Sequence, residues 1–105
     1  MFSIRHTDGS GEVDPPIEIL SNLYDELKST DQEHGDVSVT DEKSGWCMSA
    51  HRGGQLVFGN LRDHGRSDCH MTPVPKERVL ELWKRLIAGD IDGLLSEPWL
   101  PGYGS

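Results

Sequence analysis

Three short apolar runs, the first two with a residue period of two, constrain the fold of this chain most. They occupy residues 36–40, 46–51 and 55–61, and short links that contain glycine separate them. A period of two is typical of β-strands with one buried face, because successive side chains of a strand point to opposite faces. Short glycine-containing links favour strands that follow one another in the sheet. The sequence therefore predicts an antiparallel meander.

Two segments with helical periodicity flank these runs. The first is predicted to begin at Asp14, which would act as N-cap before Pro15 and Pro16 in the first turn. The second is predicted to begin near Pro75 and to end at Gly89, with a pair between Glu81 and Arg85 on its polar side. The apolar stripes consist of Ile17, Leu20, Leu23, Tyr24 and Leu27 in the first helix, and of Val79, Leu80, Leu82, Trp83, Leu86 and Ile87 in the second.

Shorter patterns complete the predicted fold. Residues 1–6 and 69–72 favour a first and a last strand, residues 8–14 a loop, and Asp90 the cap of a further helical turn. Trp99 is expected to lie back on the core. Amphipathic helices need an apolar surface to cover, so we expect an α+β two-layer sandwich in which an antiparallel sheet of four to five strands packs against two helices. Residues 1–105 form one domain, with 1–14 and 98–105 peripheral or loosely ordered.

The charge of the chain is unevenly distributed. It has 18 Asp and Glu against 10 Lys and Arg, for a formal charge of -8, and residues 8–42 hold eleven of these acids with Lys28 as their one base. Such a charge disfavours phosphate backbones and anionic membranes as partners. The acidic segment is either a solvated surface or a docking surface for a basic protein. The candidate partner-binding residues are Asp31, Glu33, Asp36, Asp41, Glu42 and Trp46.

Targeting signals and cysteine usage indicate the compartment. The sequence has neither an apolar run of signal-peptide length near residue 1 nor a run of about 20 apolar residues that would span a bilayer. Cys47 and Cys69 are too few for a disulfide framework. We therefore expect a cytoplasmic protein.

No catalytic, metal-binding or cofactor-binding residue is predicted. Cys47 and His51 lie four residues apart on one strand face, which separates them by about 13 Å, too far to share a metal. A site that joins His64 and Cys69 to Cys47 of a neighbouring strand remains an alternative, although the usual zinc spacings are absent from the sequence. The alternate oxygens of residues 8–14 do not match a calcium loop, because Val13 stands where that loop requires glycine.

Several short motifs follow one another over about residues 36 to 99. They are Asp36-Val37-Ser38-Val39, Gly45-Trp46, a strand over residues 54–60, Val74-Pro75, Val79-Leu80-Glu81-Leu82-Trp83, Ala88-Gly89-Asp90 and Pro98-Trp99. In this order they resemble the small immunity proteins of bacterial polymorphic toxin systems, particularly those paired with nucleic-acid deaminase toxins. The resemblance implies a non-enzymatic inhibitor that occludes the active site of a toxin.

Three functions remain open from the sequence. The first is an acidic protein-binding module, such as an immunity-like inhibitor of a basic toxin that acts on nucleic acid. The second is a small metal protein or enzyme built on Cys47, His51, His64, Cys69 and His70. The third is an accessory homodimeric domain. We expect the binding module, as a monomer or homodimer.

Overall fold

The computed structural model describes residues 1–29, 36–62 and 68–102. The fold is α+β, as predicted, with a wholly antiparallel sheet in the strand order β2-β1-β3-β4-β5-β6-β7. The strands are β1 (Phe2–Arg5), β2 (Gly11–Val13), β3 (Asp36–Asp41), β4 (Trp46–His51), β5 (Leu56–Asn60), β6 (Cys69–Met71) and β7 (Leu100–Pro101). The helices are α1 (Ile19–Asp25), α2 (Lys76–Ile87) and α3 (Ile91–Leu95), and a 3-10 helix, Glu26–Ser29, follows α1.

The central meander confirms the period-two prediction. The register places Val37 opposite Ala50, Val39 opposite Met48, and Met48 opposite Phe58. All five side chains are buried on one face of the sheet. Side chains that pair directly across antiparallel strands share a face, so the alternation in sequence becomes one continuous apolar layer.

Helix α2 covers the middle of this layer. Its residues Val79, Leu82, Trp83 and Leu86 are buried, as the apolar stripe predicts. The helix ends at Ile87, and Gly89 just beyond its C-cap has a φ of +82°, the left-handed conformation that glycine adopts without a Cβ penalty. Asp90 accepts a hydrogen bond from the backbone N–H of Gly93 and so caps α3, again as predicted.

The first helix begins later than predicted. Asp14 does not cap it, because its φ is +49° and its Oδ1 accepts a 2.9 Å hydrogen bond from the backbone N–H of Phe2. Asp14 thus pairs with Phe2 at the open end of the β1–β2 hairpin, and α1 starts only at Ile19. Leu20 and Leu23 are buried as expected, whereas Ile17 precedes the helix and is 42% exposed.

Two strands were not predicted from the sequence, and the residues that the structure describes form a sheet of seven strands rather than four or five. Strand β2 lies within the predicted loop of residues 8–14, and β7 lies within the tail. With three and two residues, these strands are too short to show a period. Residues 1–14 therefore supply two strands, and Phe2 and Ile4 of β1 belong to the core.

The C-terminal segment packs through an aromatic ring and ion pairs. Trp99 lies against the core as predicted: its ring stacks on Phe58 with centroids 5.2 Å apart, and its Nε1–H donates to the carbonyl oxygen of Leu94 at 2.7 Å. The predicted pair of Glu81 with Arg85 is wrong. Arg85 instead contacts Glu97 and Asp90, because the chain after α2 turns back along the helix.

The helices are short as well as amphipathic. None of those in the described ranges combines the length and apolar content that a bilayer span requires.

Candidate partner-binding surface

The sheet face opposite the helices carries small side chains. We call it the open face and define it by Ser3, Ser38, Thr40, Cys47, Ser49 and Gly59, which the register places together. Five of them, all but Gly59, line a cleft of about 470 Å³ that also includes residues of β2. The hydroxyl and thiol positions leave room for another surface to approach the backbone closely, whereas the space above Gly59 is filled by the Asp68 carboxylate.

Charged side chains stand around this cleft. Asp36 and Glu42 lie at the start of β3 and just past its end, and both line the cleft together with Arg5 and Glu12. Six residues of strand separate the two acids by about 20 Å. Asp36 is exposed, while the half-buried carboxylate of Glu42 accepts a 2.5 Å hydrogen bond from Ser3 Oγ. The rim thus presents acids at both ends of one strand.

Two of the six candidate residues have structural roles. Asp41 is 9% exposed, and its carboxylate accepts hydrogen bonds from the Ser44 hydroxyl at 2.7 Å and the Lys43 backbone N–H at 3.3 Å. Trp46 is 8% exposed and stacks on Phe58 with ring centroids 4.6 Å apart. Asp41 therefore organises the β3–β4 turn, and Trp46 fills the core.

The structure brings two candidate residues, Asp36 and Glu42, to the same cleft. Asp31 and Glu33 lie outside the described residues. The cleft itself was not predicted from the sequence. A signal for it exists: Ser38, Thr40, Cys47 and Ser49 occupy polar-face positions of two strands where long charged side chains are common on a solvated sheet.

The cysteines do not form a shared site. Cys47 belongs to the open face, with its Sγ 4.0 Å from Ser49 Oγ. Cys69 pairs with Phe58 on the helix side, and its thiol donates to the Phe58 carbonyl oxygen at 3.4 Å. The predicted alternative of a Cys47–Cys69 site is thus wrong, because the two thiols are on opposite faces. His64, its third member, lies outside the described residues.

His70, another candidate metal ligand, also lies apart from the other candidates. His70 pairs with Val57 on the open side of the sheet, is nearly buried, and its Nδ1 is 2.9 Å from the carbonyl oxygen of Gly102. Within the described ranges, no three His, Cys, Asp or Glu side chains come together as a metal site.

A histidine joins the edge of the cleft to the helical layer. His6 Nε2 is 2.5 Å from Glu12 Oε2 of β2, and His6 Nδ1 is 2.5 Å from Glu26 Oε2 after α1. The hydrogen bond to Glu26, followed by that to Glu12, raises the pKa of His6 above its ordinary value. A protonated imidazole can donate to both carboxylates at once, so this bridge fixes the position of β2.

No family model, curated protein or solved structure matches this chain.

Proposed function

We propose that this protein is a non-enzymatic binding module that docks a basic protein on its open face. The observation that carries the proposal is the cleft on that face, with Asp36 and Glu42 at its rim. A surface of small hydroxyl side chains between carboxylates suits the long side chains of Lys and Arg, whose charges it can pair at the rim.

The dimensions are adequate for such a role. A standard protein interface buries about 800 Å² on each partner. The protein exposes 5996 Å², so one face of the sheet with its rims can supply that area. A formal charge of -8 adds long-range attraction for a basic partner, which raises the association rate.

An immunity-like inhibitor is the particular module that we propose. Enzymes that act on nucleic acids hold phosphates with Lys and Arg, so their binding clefts are basic. An acidic domain seated in such a cleft would exclude the nucleic acid by occupying the same charges. The motifs over residues 36 to 99 that resemble toxin immunity proteins favour this class, with both proteins in the cytoplasm.

The enzyme alternative has less support from the geometry. A Cys–His pair needs the two side chains in hydrogen-bond reach. The ring of His70 instead faces the Gly102 carbonyl oxygen, and the thiol of Cys69 faces that of Phe58. These contacts are those of structural residues.

The test is affinity capture of the tagged protein from host lysate, with mass spectrometry of the eluate at low and high salt. The variant Asp36→Lys with Glu42→Lys should lose the partner. A matched control, Glu77→Lys with Asp92→Lys, changes the net charge equally at exposed helix positions away from the cleft and should retain it.

Three results would count against the proposal. The first is capture that both double variants retain, which would exclude the open face. The second is an equal loss of the partner in both double variants, which would show that binding depends on net charge alone. The third is a captured partner that is neither basic nor active on nucleic acid, which would overturn the inhibitor class.

A further inference from the structure

Strand β2 directs part of its backbone away from the sheet. Asp14 N–H donates to Phe2 O at 2.7 Å, and His6 N–H donates to Ser10 O at 2.8 Å. The pair Ile4 and Glu12 lies midway between these two hydrogen-bonded pairs. Hydrogen-bonded and non-bonded pairs alternate in an antiparallel ladder, so Glu12 bonds to β1. The N–H and C=O groups of Gly11 and Val13 therefore point outward.

In the part of the chain that the structure describes, this edge is unpaired. There β2 pairs with β1 alone, its three residues are exposed, and Val13 is 65% exposed. Within the described ranges, no residue beyond β1 forms a backbone hydrogen bond with Gly11 or Val13. The opposite edge of the sheet differs, because half of β7 is Pro101, which has no N–H to donate. At Pro101 the β7 edge therefore has no N–H to offer a further strand, whereas Gly11 and Val13 of the β2 edge keep theirs.

We propose that β2 is a docking edge to which the basic protein partner adds an extended strand, making the sheet eight-stranded. This inference rests on the proposed function and specifies how the partner is held. The outward N–H and C=O groups of Gly11 and Val13 form the backbone hydrogen bonds, a mode of peptide recognition that sheet edges support. The added strand lies beside the cleft, because Gly11, Glu12 and Val13 also line it.

The charge of the edge favours a basic occupant, even with Glu12 paired to His6. Residues 8–18 contain Asp8, Glu12, Asp14 and Glu18 and no Lys or Arg. A second copy of this chain paired through β2 would bring those acids together, and like charges on paired strands are destabilising. A strand with Lys or Arg at alternate positions has the complementary charge.

A synthetic eight-residue peptide of alternating Val and Lys is the probe, with binding measured by calorimetry at low salt. Two further peptides carry backbone N-methyl groups, one on every Val and one on every Lys, which leaves their charges unchanged. N-methylation removes the donors of one strand edge, so at least one of the two should bind tenfold or more weakly than the parent. A Val-Glu peptide of equal length should not bind.

Variants of the protein provide the matched test. Val13→Pro removes the outward N–H, which bonds nothing in the hairpin, and should weaken peptide binding about tenfold at an unchanged melting temperature. Val13→Thr keeps the N–H and should bind as the wild type does. If Val13→Pro has a lower melting temperature than the wild type, the methylated peptides test strand addition on the wild-type protein instead.

The outcomes separate this inference from the proposed function. No binding of the Val-Lys peptide, or equal binding of all three Val-Lys peptides, would overturn strand addition. A captured partner that Val13→Pro retains and the Asp36→Lys, Glu42→Lys variant loses would also overturn strand addition and would leave the open-face proposal standing. Retention by both variants would overturn both.

Discussion

The indole Nε1–H of Trp83 donates a 3.1 Å hydrogen bond to the backbone carbonyl oxygen of Met48. Both side chains are fully buried. This bond joins the middle of α2 to the strand at the centre of the sheet, so it fixes the helix at one position along β4 as well as at one depth. Packing alone would fix the depth and leave the position along the strand less defined.

Replacing this indole should destabilise the fold in two steps. Trp83→Phe keeps a ring but leaves the Met48 carbonyl without its side-chain donor, which should lower the free energy of unfolding by about 1–3 kcal/mol. Trp83→Ala also empties the space and should lower it by about 3–5 kcal/mol. Urea denaturation followed by circular dichroism measures both. Equal values for the two variants would contradict this division, because the emptied space would then cost nothing beyond the lost hydrogen bond.

The acids at the two ends of β3 should respond differently to truncation. Asp41→Ala removes the acceptor of the Ser44 hydroxyl and Lys43 N–H, so we expect a loss of about 1–2 kcal/mol in the free energy of unfolding. Asp36→Ala, at an exposed position, should change it by less than about 0.5 kcal/mol. Thermal melting of both variants and of the wild type measures these changes. An equal loss of stability in the two variants would contradict the prediction.

The bridge at His6 should make stability depend on pH near neutrality. Because the pKa of His6 is raised in the folded protein, the stability that its proton contributes is fully present below the ordinary value of 6.5. It is lost as pH rises through the raised pKa. The difference in unfolding free energy between wild type and His6→Gln should therefore shrink with rising pH. A difference that stays constant would mean that the bridge does not shift the pKa.

The two carboxylates should contribute unequally to that pKa. Nuclear magnetic resonance titration of the imidazole should show a larger fall of the His6 pKa in Glu26→Gln than in Glu12→Gln, since the hydrogen bond to Glu26 is the larger cause. A larger fall in Glu12→Gln would show that Glu12 of β2, and not Glu26, is the larger cause of the raised pKa.

The opposite pH dependence is expected at Glu97. Hydrogen bonds from Arg85 and then Arg78 lower the pKa of this carboxyl, whose side chain is 15% exposed. Its contribution to stability is present above the ordinary value of 4.5 and is lost as pH falls through the lowered pKa. Glu97→Gln should thus be less stable than wild type at neutral pH and should approach it in acid. Persistence of the full difference in strong acid would contradict this assignment.

The sequence predicted the fold wherever an element was long enough to show its period. The meander over β3 to β5 and the apolar stripe of α2 were both found from spacing alone. Strand β2 was not, because Gly11-Glu12-Val13 has one apolar residue and its pairing depends on β1. The start of α1 was predicted too early for a related reason. The Asp14 side chain accepts a long-range hydrogen bond from the Phe2 N–H instead of capping a helix, and local propensity contains no information about this bond.

The site was harder to predict than the fold. The acidic run is continuous in sequence, but the structure distributes it over a hairpin, a helix and a strand. Asp41 is turned into its own hairpin turn, whereas Asp36 and Glu42 reach the open cleft. Asp36 and Glu42 share the open face because an even number of residues separates them along one strand, whereas Asp41 has the opposite parity and pairs with Phe2. A count of charges along the chain does not contain this parity.

The contrast between the two edge strands has a consequence for stoichiometry. An unprotected edge that can pair with a copy of itself, or at both sides of a sheet, permits chains of molecules to polymerise. Here Pro101 has no N–H to offer a further strand on one side, and the acids beside β2 repel another copy on the other. If a partner adds a strand as we propose, each molecule would accept one such strand, and assembly would stop at a one-to-one complex instead of continuing into a fibre.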